Sequence, residues 1–283
     1  MGHVMDRIQA KEAPQMTLKG KVTVITGAMQ GIGAGISRVL AKDGASVILT
    51  DVSPKVEKTA DSIKEEGGDA FSYTMDVTKS DRVNSVINEI QEEFGQIDVL
   101  VNNAGIYPRK KLVDMDDEFM QKMFDINVYG MFRCSRAVLP GMMKRIKGKI
   151  INMSSVTGPL VGAPSGGQTA YASTKAAVVG FTKALALEVA QHQINVNCIL
   201  PGYIYSPSAF GLRGSESDKD AKYKMREFGY KIPLGRQGSP EDVGNLVSFL
   251  ASDLSDYITG SEFVIDGGNI LQEEYLGPYK PKI

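Results

Sequence analysis

Cysteine is scarce in this chain: 283 residues hold two, Cys134 and Cys198. They lie far apart with no second cluster of ligands beside either, which leaves nothing to build a disulfide framework or a zinc site on; two small buried thiols in a reducing compartment is the reading that remains. An excess of either charge is missing as well. Lys and Arg number 32 against 33 Asp and Glu, and no dense basic stripe is present to track a phosphate backbone, so no nucleic-acid partner is expected. No apolar run approaches membrane-span length, and the opening MGHVMDRIQAKEAPQM carries charges where a signal peptide needs an unbroken apolar stretch. The expectation is a cytoplasmic protein with no membrane partner and no metal.

What the chain does have is alternation. Residues 1–19 are polar, dotted with Met and interrupted by Pro14, and read as an N-terminal extension. From Lys21 short apolar runs alternate with helical patterns: KVTVIT, a helix over 32–43, SVILTD, a helix over 55–66, FSYTMD, a helix over 81–94, IDVLVNN and a long helix over 116–145. KIINMSS, a helix over 171–191, INVNCIL, a helix over 240–251 and EFVIDGG complete the series. Runs such as DVLVNN are apolar through their centres, as strands covered on both faces are. Seven strands mostly separated by helices predict an α/β fold: a doubly wound, seven-stranded parallel sheet of Rossmann type with helices on both faces. No Pro- or Ser-rich linker and no repeat divides the chain, so residues 20–268 are expected to form a single domain and 269–283 a C-terminal tail. Within the domain, 203–238 mixes Tyr203, Tyr205, Phe210, Tyr223, Phe228 and Tyr230 with the charged run SESDKDAKYK, a pattern that suits a substrate lid.

The first strand runs into TGAMQGIG, residues 26–33. Gly27 permits a tight turn, Gly31 the approach of backbone to a pyrophosphate and Gly33 close packing of the helix, while the helix start, with Gln30 and Ile32 around it, offers unpaired N–H groups and positive potential. A glycine turn alone is weak evidence; the strand before it, the helix after it and its place at the first strand make it a cofactor site. Its spacing differs by one residue from G-x-G-x-x-G, and no Gly-Lys-Ser/Thr follows, which disfavours a nucleotide triphosphate loop. Asp51 ends the second strand 18 residues beyond Gly33, where a carboxylate can accept both ribose hydroxyls and would repel a 2′-phosphate. Gln30 stands where a basic residue would help to hold that phosphate. Both favour NAD over NADP, although Asp51 could instead cap the following loop.

Tyr171-Ala172-Ser173-Thr174-Lys175 opens a helix, so Tyr171 and Lys175 share one face. A phenol of pKa about 10 is a poor acid–base group at neutral pH, and a nearby ammonium would lower that pKa. In isolation such a pair is an ordinary packed ring beside a solvated amine. Its companions change the reading: TGAMQGIG, Asp51, MDVT (75–78), NNAG (102–105), Asn127, INMSS (151–155), YASTK, PG (201–202) and IDGG (265–268) occur in order. With these motifs the chain resembles the short-chain dehydrogenase/reductase family, in its short single-domain branch, over roughly 18–268.

The resemblance implies a nicotinamide-dependent enzyme, with NAD the cofactor that Asp51 and Gln30 favour, that interconverts a secondary alcohol and a ketone. It implies Tyr171 as proton donor in reduction and acceptor in oxidation, Lys175 as holder of nicotinamide ribose hydroxyls, and Ser155 as the group that orients the substrate oxygen. Asn127 would hold a water behind the lysine. Asp76 and Val77 would edge the adenine, Asn103, Ala104 and Gly105 would line the ribose side, and Pro201, Gly202 and Ile204 would meet the nicotinamide. Ile204 would use its backbone, so that its side chain should matter little. The cofactor supplies a hydride and the protein a proton donor, with no metal required. A homotetramer, built partly from the long helices, is also implied.

The segment VTGPLVGAPSGGQTA between Ser155 and Tyr171 is longer than the family usually has, and NILQEEYLGPYKPKI extends past its usual end. With the aromatic lid these extensions suggest a bulky apolar substrate such as a hydroxysteroid. A polyol, sugar acid or 3-oxoacyl substrate would share every motif, because the fold and the proton-transfer residues specify chemistry rather than partner. Arg109 and Lys110 are either solvated charges or the rim of a site for an anionic substrate. A noncatalytic NAD-binding protein would keep the glycine turn and lose the four polar residues, all of which are present.

Overall fold

The computed structural model describes residues 17–163, 166–205 and 229–272. The expected N-terminal extension up to residue 16, the lid over 206–228 and the tail from 273 lie outside them. Seven strands form one sheet: β1 (Val22–Thr26), β2 (Ser46–Asp51), β3 (Asp69–Thr74), β4 (Val99–Asn102), β5 (Gly148–Met153), β6 (Ile194–Pro201) and β7 (Glu262–Ile265). All neighbours are parallel, in the order β3-β2-β1-β4-β5-β6-β7. The order reverses between β1 and β4, and in such sheets the crevice for a ligand opens at the carboxyl ends of those strands.

The apolar strand centres follow from two-sided burial. Val24, Ile48, Leu100, Ile150 and Val196 face one layer, with Val83, Val86, Ile87, Cys134, Val138 and Leu185 of the helices. Their strand neighbours Ile25, Leu49, Val101, Ile151 and Ile199 face the other, against Ile36, Leu40, Val243 and Val247. Alternation of side chains across each strand sends adjacent apolar residues to opposite faces, so neither face tolerates a polar stripe. The helices supplying these layers are α1 (Gly31–Lys42), α2 (Val56–Glu65), α3 (Ser80–Phe94), α5 (Gly130–Arg145), α6 (Thr169–Val189) and α7 (Pro240–Ala251), while α4 (Asp117–Phe124) contributes to neither.

Two boundaries depart from expectation in ways that matter for the site. Strand β3 lies two residues earlier than FSYTMD because it pairs in register with β2 from Ser46↔Asp69 to Asp51↔Thr74. Met75 and Asp76 are thereby released past the strand end. The long helix expected over 116–145 is not continuous. Asp116 caps α4 by accepting from the Phe119 N–H, a π-helical turn then spans Asp125–Tyr129, and α5 follows. The wider turn accommodates one extra residue per repeat, and Asn127 sits inside it.

Candidate active site

The carboxyl ends of β1 and β4 are stitched together. Thr26 Oγ1 accepts from the N–H groups of Asn103 and Ala104, at 3.0 Å each, and Asn103 Nδ2 donates to the carbonyls of Thr26 (2.9 Å) and Gly27 (3.0 Å). Gly27 has φ +65°, and a Cβ there would stand 2.8 Å from Ala104 Cα; at Gly33 one would overlap the Gly27 carbonyl oxygen. The turn therefore keeps its shape only with glycine at both places. Beneath it, Asn102 donates to Ser135 and Asn152, and Asn152 to Thr182, a buried polar ladder from β4 through β5 to α6 that the sequence motifs did not reveal.

Asp51 has two local duties. Its carboxylate accepts from the Met29 N–H at 3.2 Å and the Ser53 N–H at 2.9 Å, so it braces the glycine turn and caps its own loop while lining the cleft. Asp76 likewise accepts from the backbone and hydroxyl of Thr78.

Tyr171 is the third residue of α6, and Lys175 lies one turn further. The Tyr171 side chain shares the wall of one cavity with Ser155, two residues past β5, whose hydroxyl acts on the phenol's ionisation. Burial raises its pKa from the ordinary tyrosine value, Tyr107 adds in the same direction, and the Ser155 hydroxyl opposes both without winning. This corrects the expectation that Lys175 would lower it. Lys175 is itself buried, with Nζ 5.7 Å from the Tyr171 ring centroid and donating to the Met153 carbonyl at 2.8 Å. Burial pulls its own pKa down to about 8, and a cation so penalised is a weakened source of positive potential.

Asn127 lies behind this pair. Its amide brackets the Ile106 backbone, accepting from the N–H at 2.8 Å and donating to the carbonyl at 2.9 Å, and it reaches Thr174 Oγ1 at 3.2 Å. Thr174 in turn donates to the Tyr171 carbonyl. Asn127 thus joins the segment after β4 to the first turns of α6.

A cavity of about 870 Å³ gathers the expected residues Gly27, Gln30, Gly31, Ile32, Asp51, Asn103 and Gly105 with Ser155, Tyr171, Lys175, Pro201, Gly202 and Ile204. A second, of about 540 Å³, is lined by Asp76, Val77 and Ala104 and shares Gly27, Asp51, Gly105 and Ile106 with the first. Two expected residues line neither: Gly33 works through helix packing and Asn127 through hydrogen bonds. The expectation for Ile204 needs correction. Its side chain is buried in the core, with Cδ1 against Gly238, so changing it disturbs packing whatever its backbone does. Lys110 is not a free rim charge, since it pairs with Asp116, whereas Arg109 lines the larger cavity. Tyr107, Gln168 and Tyr203 line it too. No spacing pattern marks these three, because they meet the site through loops.

Comparison with known proteins identifies what this arrangement belongs to. The family model described as enoyl-(acyl carrier protein) reductase matches residues 27–269, from the glycine turn to just past β7. The chain belongs to the short-chain dehydrogenases/reductases. Oxidoreductase UcpA of Escherichia coli is 45% identical over 256 residues, covering 90% of this chain and 97% of that protein. The 3-oxoacyl-[acyl-carrier-protein] reductase FabG of Thermotoga maritima is 41% identical over 261 residues, covering 90% and 100%. The crystal structure of gox2181 aligns with a TM-score of 0.82 at 35% identity, over 91% of this chain and 98% of that one. A short-chain type dehydrogenase/reductase from Mycobacterium marinum aligns with a TM-score of 0.80 at 38% identity, over 90% and 97%. As a short-chain dehydrogenase/reductase the protein is an oxidoreductase, of a family whose members typically use nicotinamide cofactors. The two joined cavities and the side-chain-free turn at Gly27 fit a dinucleotide of that kind. Among the described residues no cluster of His, Cys, Asp and Glu is placed to hold a metal ion, and no helix is long and apolar enough to cross a membrane.

Proposed function

We propose that this short-chain dehydrogenase/reductase uses NAD(H) to interconvert a secondary alcohol and a ketone, with Tyr171 exchanging the proton. The observation that carries the reading is that the side chains of Ser155 and Tyr171 line one cavity with Lys175, Asp51 and the glycine turn. A bound nicotinamide would give or take the hydride. Ser155 and Tyr171 offer two donors to one substrate oxygen, which orients the carbonyl and polarises it. Burial keeps the phenol protonated at neutral pH, the form reduction requires. In oxidation the same oxygen takes the proton, and Lys175 would hold the cofactor ribose. Asn127 positions this group by clamping Ile106 and Thr174; the water relay expected behind the lysine would use the same corner.

NAD is favoured over NADP by the Asp51 carboxylate on the cleft wall and by Gln30 in the turn. Steady-state turnover with each cofactor tests this, and a strong preference for NADPH would overturn it. Tyr171→Phe should lower kcat by roughly 10²–10⁴-fold while NADH still binds, followed by its fluorescence; retained turnover would remove the central assignment. The apolar, steroid-like substrate expected from the sequence leaned on the aromatics over 203–238 and on the two extensions; of these Phe210, Tyr223, Phe228 and the tail from 273 lie outside the described residues. The likeness to FabG instead brings a 3-oxoacyl thioester into the first substrate panel. We carry the homotetramer forward as part of the proposal: Tyr129 and Phe132 of the π turn and α5, and Leu187 of α6, are exposed apolar side chains on the long helices. A monomer by sedimentation would contradict it.

A further inference from the structure

Arg109 stands out among the charges of the larger cavity. It follows β4 in the loop Tyr107–Lys111, and it lines the wall together with Tyr107, Gln168 and Tyr203. Its neighbour Lys110 is neutralised by Asp116, but among the described residues no carboxylate pairs with the Arg109 guanidinium. The loop is held in place: the Lys110 N–H donates to the Gly167 carbonyl at 2.9 Å, and Arg109 Cβ lies 3.6 Å from where a Cβ on Gly167 would stand. Gly167 leads directly into the start of α6. That 21-residue helix has no side-chain cap at Gln168 and no acidic residue in its first turn, so nothing local offsets its positive N-terminal end. Asp51 is the one carboxylate among the described residues on this cavity's wall, and it is committed to Met29 and Ser53 at the glycine-turn end.

Among the described residues the substrate end therefore carries positive charge from two elements and none of the opposite sign. We propose that Arg109 is a specificity-determining residue, which selects secondary alcohols and ketones carrying an anionic group, a carboxylate or a phosphoryl ester. The guanidinium presents a planar fork of donors that matches either anion two bonds at a time. This reading deepens the alcohol–ketone function above and rests on it. It also differs from the apolar substrate expected from the sequence, because a neutral polycycle would make no use of the exposed Arg109 guanidinium.

The test is a matched series. Wild type, Arg109→Gln and Arg109→Lys are assayed with NADH and NADPH on 3-oxobutanoate, 4-oxopentanoate and 5-oxohexanoate, on the methyl ester of each, and on acetoacetyl-coenzyme A as the phosphoryl-bearing probe. The ratio of kcat/KM for acid over ester should fall roughly ten- to a hundredfold in Arg109→Gln, chiefly through KM, and return in part in Arg109→Lys. If only the coenzyme A thioester loses kcat/KM, the anion is a phosphoryl group; if only the oxo acids do, it is a carboxylate. Acid-over-ester ratios and thioester kcat/KM both unaltered by Arg109→Gln would overturn the anion subsite and leave the oxidoreductase reading standing. Saturation-transfer NMR of the same acids, esters and thioester with the cofactor-loaded proteins keeps the two readings apart. Should no ketone be turned over, the proposed function falls, and the subsite is then judged by binding: anion binding weakened in Arg109→Gln supports it, equal binding refutes it.

Discussion

Two buried lysines flank strand β5, and the protein holds them differently. At the start of the strand Lys149 has Nζ 2.9 Å from Asp256 Oδ1 and donates to Ser255 Oγ at 2.8 Å. Past the end of the strand, Lys175 of α6 donates to the Met153 carbonyl, and among the described residues it has no carboxylate. Burial lowers both pKa values; at Lys149 the Asp256 carboxylate pushes back, whereas at Lys175 desolvation acts alone. The amino-terminal edge of the sheet satisfies its cation within the protein. The carboxyl edge leaves one under-compensated where a ligand's hydroxyls can reach it. Unoffset desolvation beside a cleft is a mark of a functional group, and offset desolvation away from it a mark of architecture.

The largest expected effect separates the two residues by activity. Lys175→Met should cut kcat/KM by about 10²-fold or more, with Lys149→Met close to wild type per folded molecule; equal losses in steady-state assays would erase the contrast. The next is a pH dependence of stability. A cation whose folded pKa is about 8, against 10.5 unfolded, costs stability in full below pH 8, and the cost disappears as pH rises to 10.5. Relative to Lys175→Met, wild type should therefore gain on the order of 3 kcal/mol between pH 8 and 10.5. Urea unfolding at several pH values measures it, and a constant difference would show that Lys175 is not desolvated.

The two directions of reaction sharpen the comparison further. Because the Tyr171 phenol is held above the usual tyrosine pKa, kcat/KM for alcohol oxidation should climb with pH by up to about tenfold per unit, while reduction stays level until the phenol ionises. Parallel profiles in both directions would mean another group carries the proton. The smallest effect belongs to the architectural lysine: Lys149→Met should cost about 1–2 kcal/mol of unfolding free energy, because Asp256 is largely exposed and re-solvates once its partner is gone.

Much of the fold is legible in one dimension. Seven strands, their order along the chain and the two-sided burial follow from local runs such as VTVIT and VLVN, because period and run length act over a few residues. The glycine turn is legible for the same reason, since Gly27 and Gly33 answer to backbone geometry close by. Tyr171 and Lys175 are readable as a helical pair, yet the direction of the tyrosine's pKa is not. It depends on burial and on Ser155 and Tyr107, which reach the phenol from other strand ends.

The break in the long helix is hidden from the sequence for a related reason. The periodicity over 116–145 is helical throughout, and only the pull of Ile106 and Thr174 on Asn127 marks where the turn widens. The burial of Ile204 is equally hidden, because it comes from a bridge to Gly238, 34 residues away in sequence. The amino-acid sequence by itself determined the layered fold, the cofactor turn and the identities of the polar residues, all encoded in local patterns. Tertiary structure alone decided that, among the described residues, Lys110 has a carboxylate partner and Arg109 has none, that Asp51 braces the turn, and that Lys175 is buried without a counter-ion. Those outcomes are set by which distant segments the closing sheet brings within hydrogen-bonding distance, and by how much water remains between them.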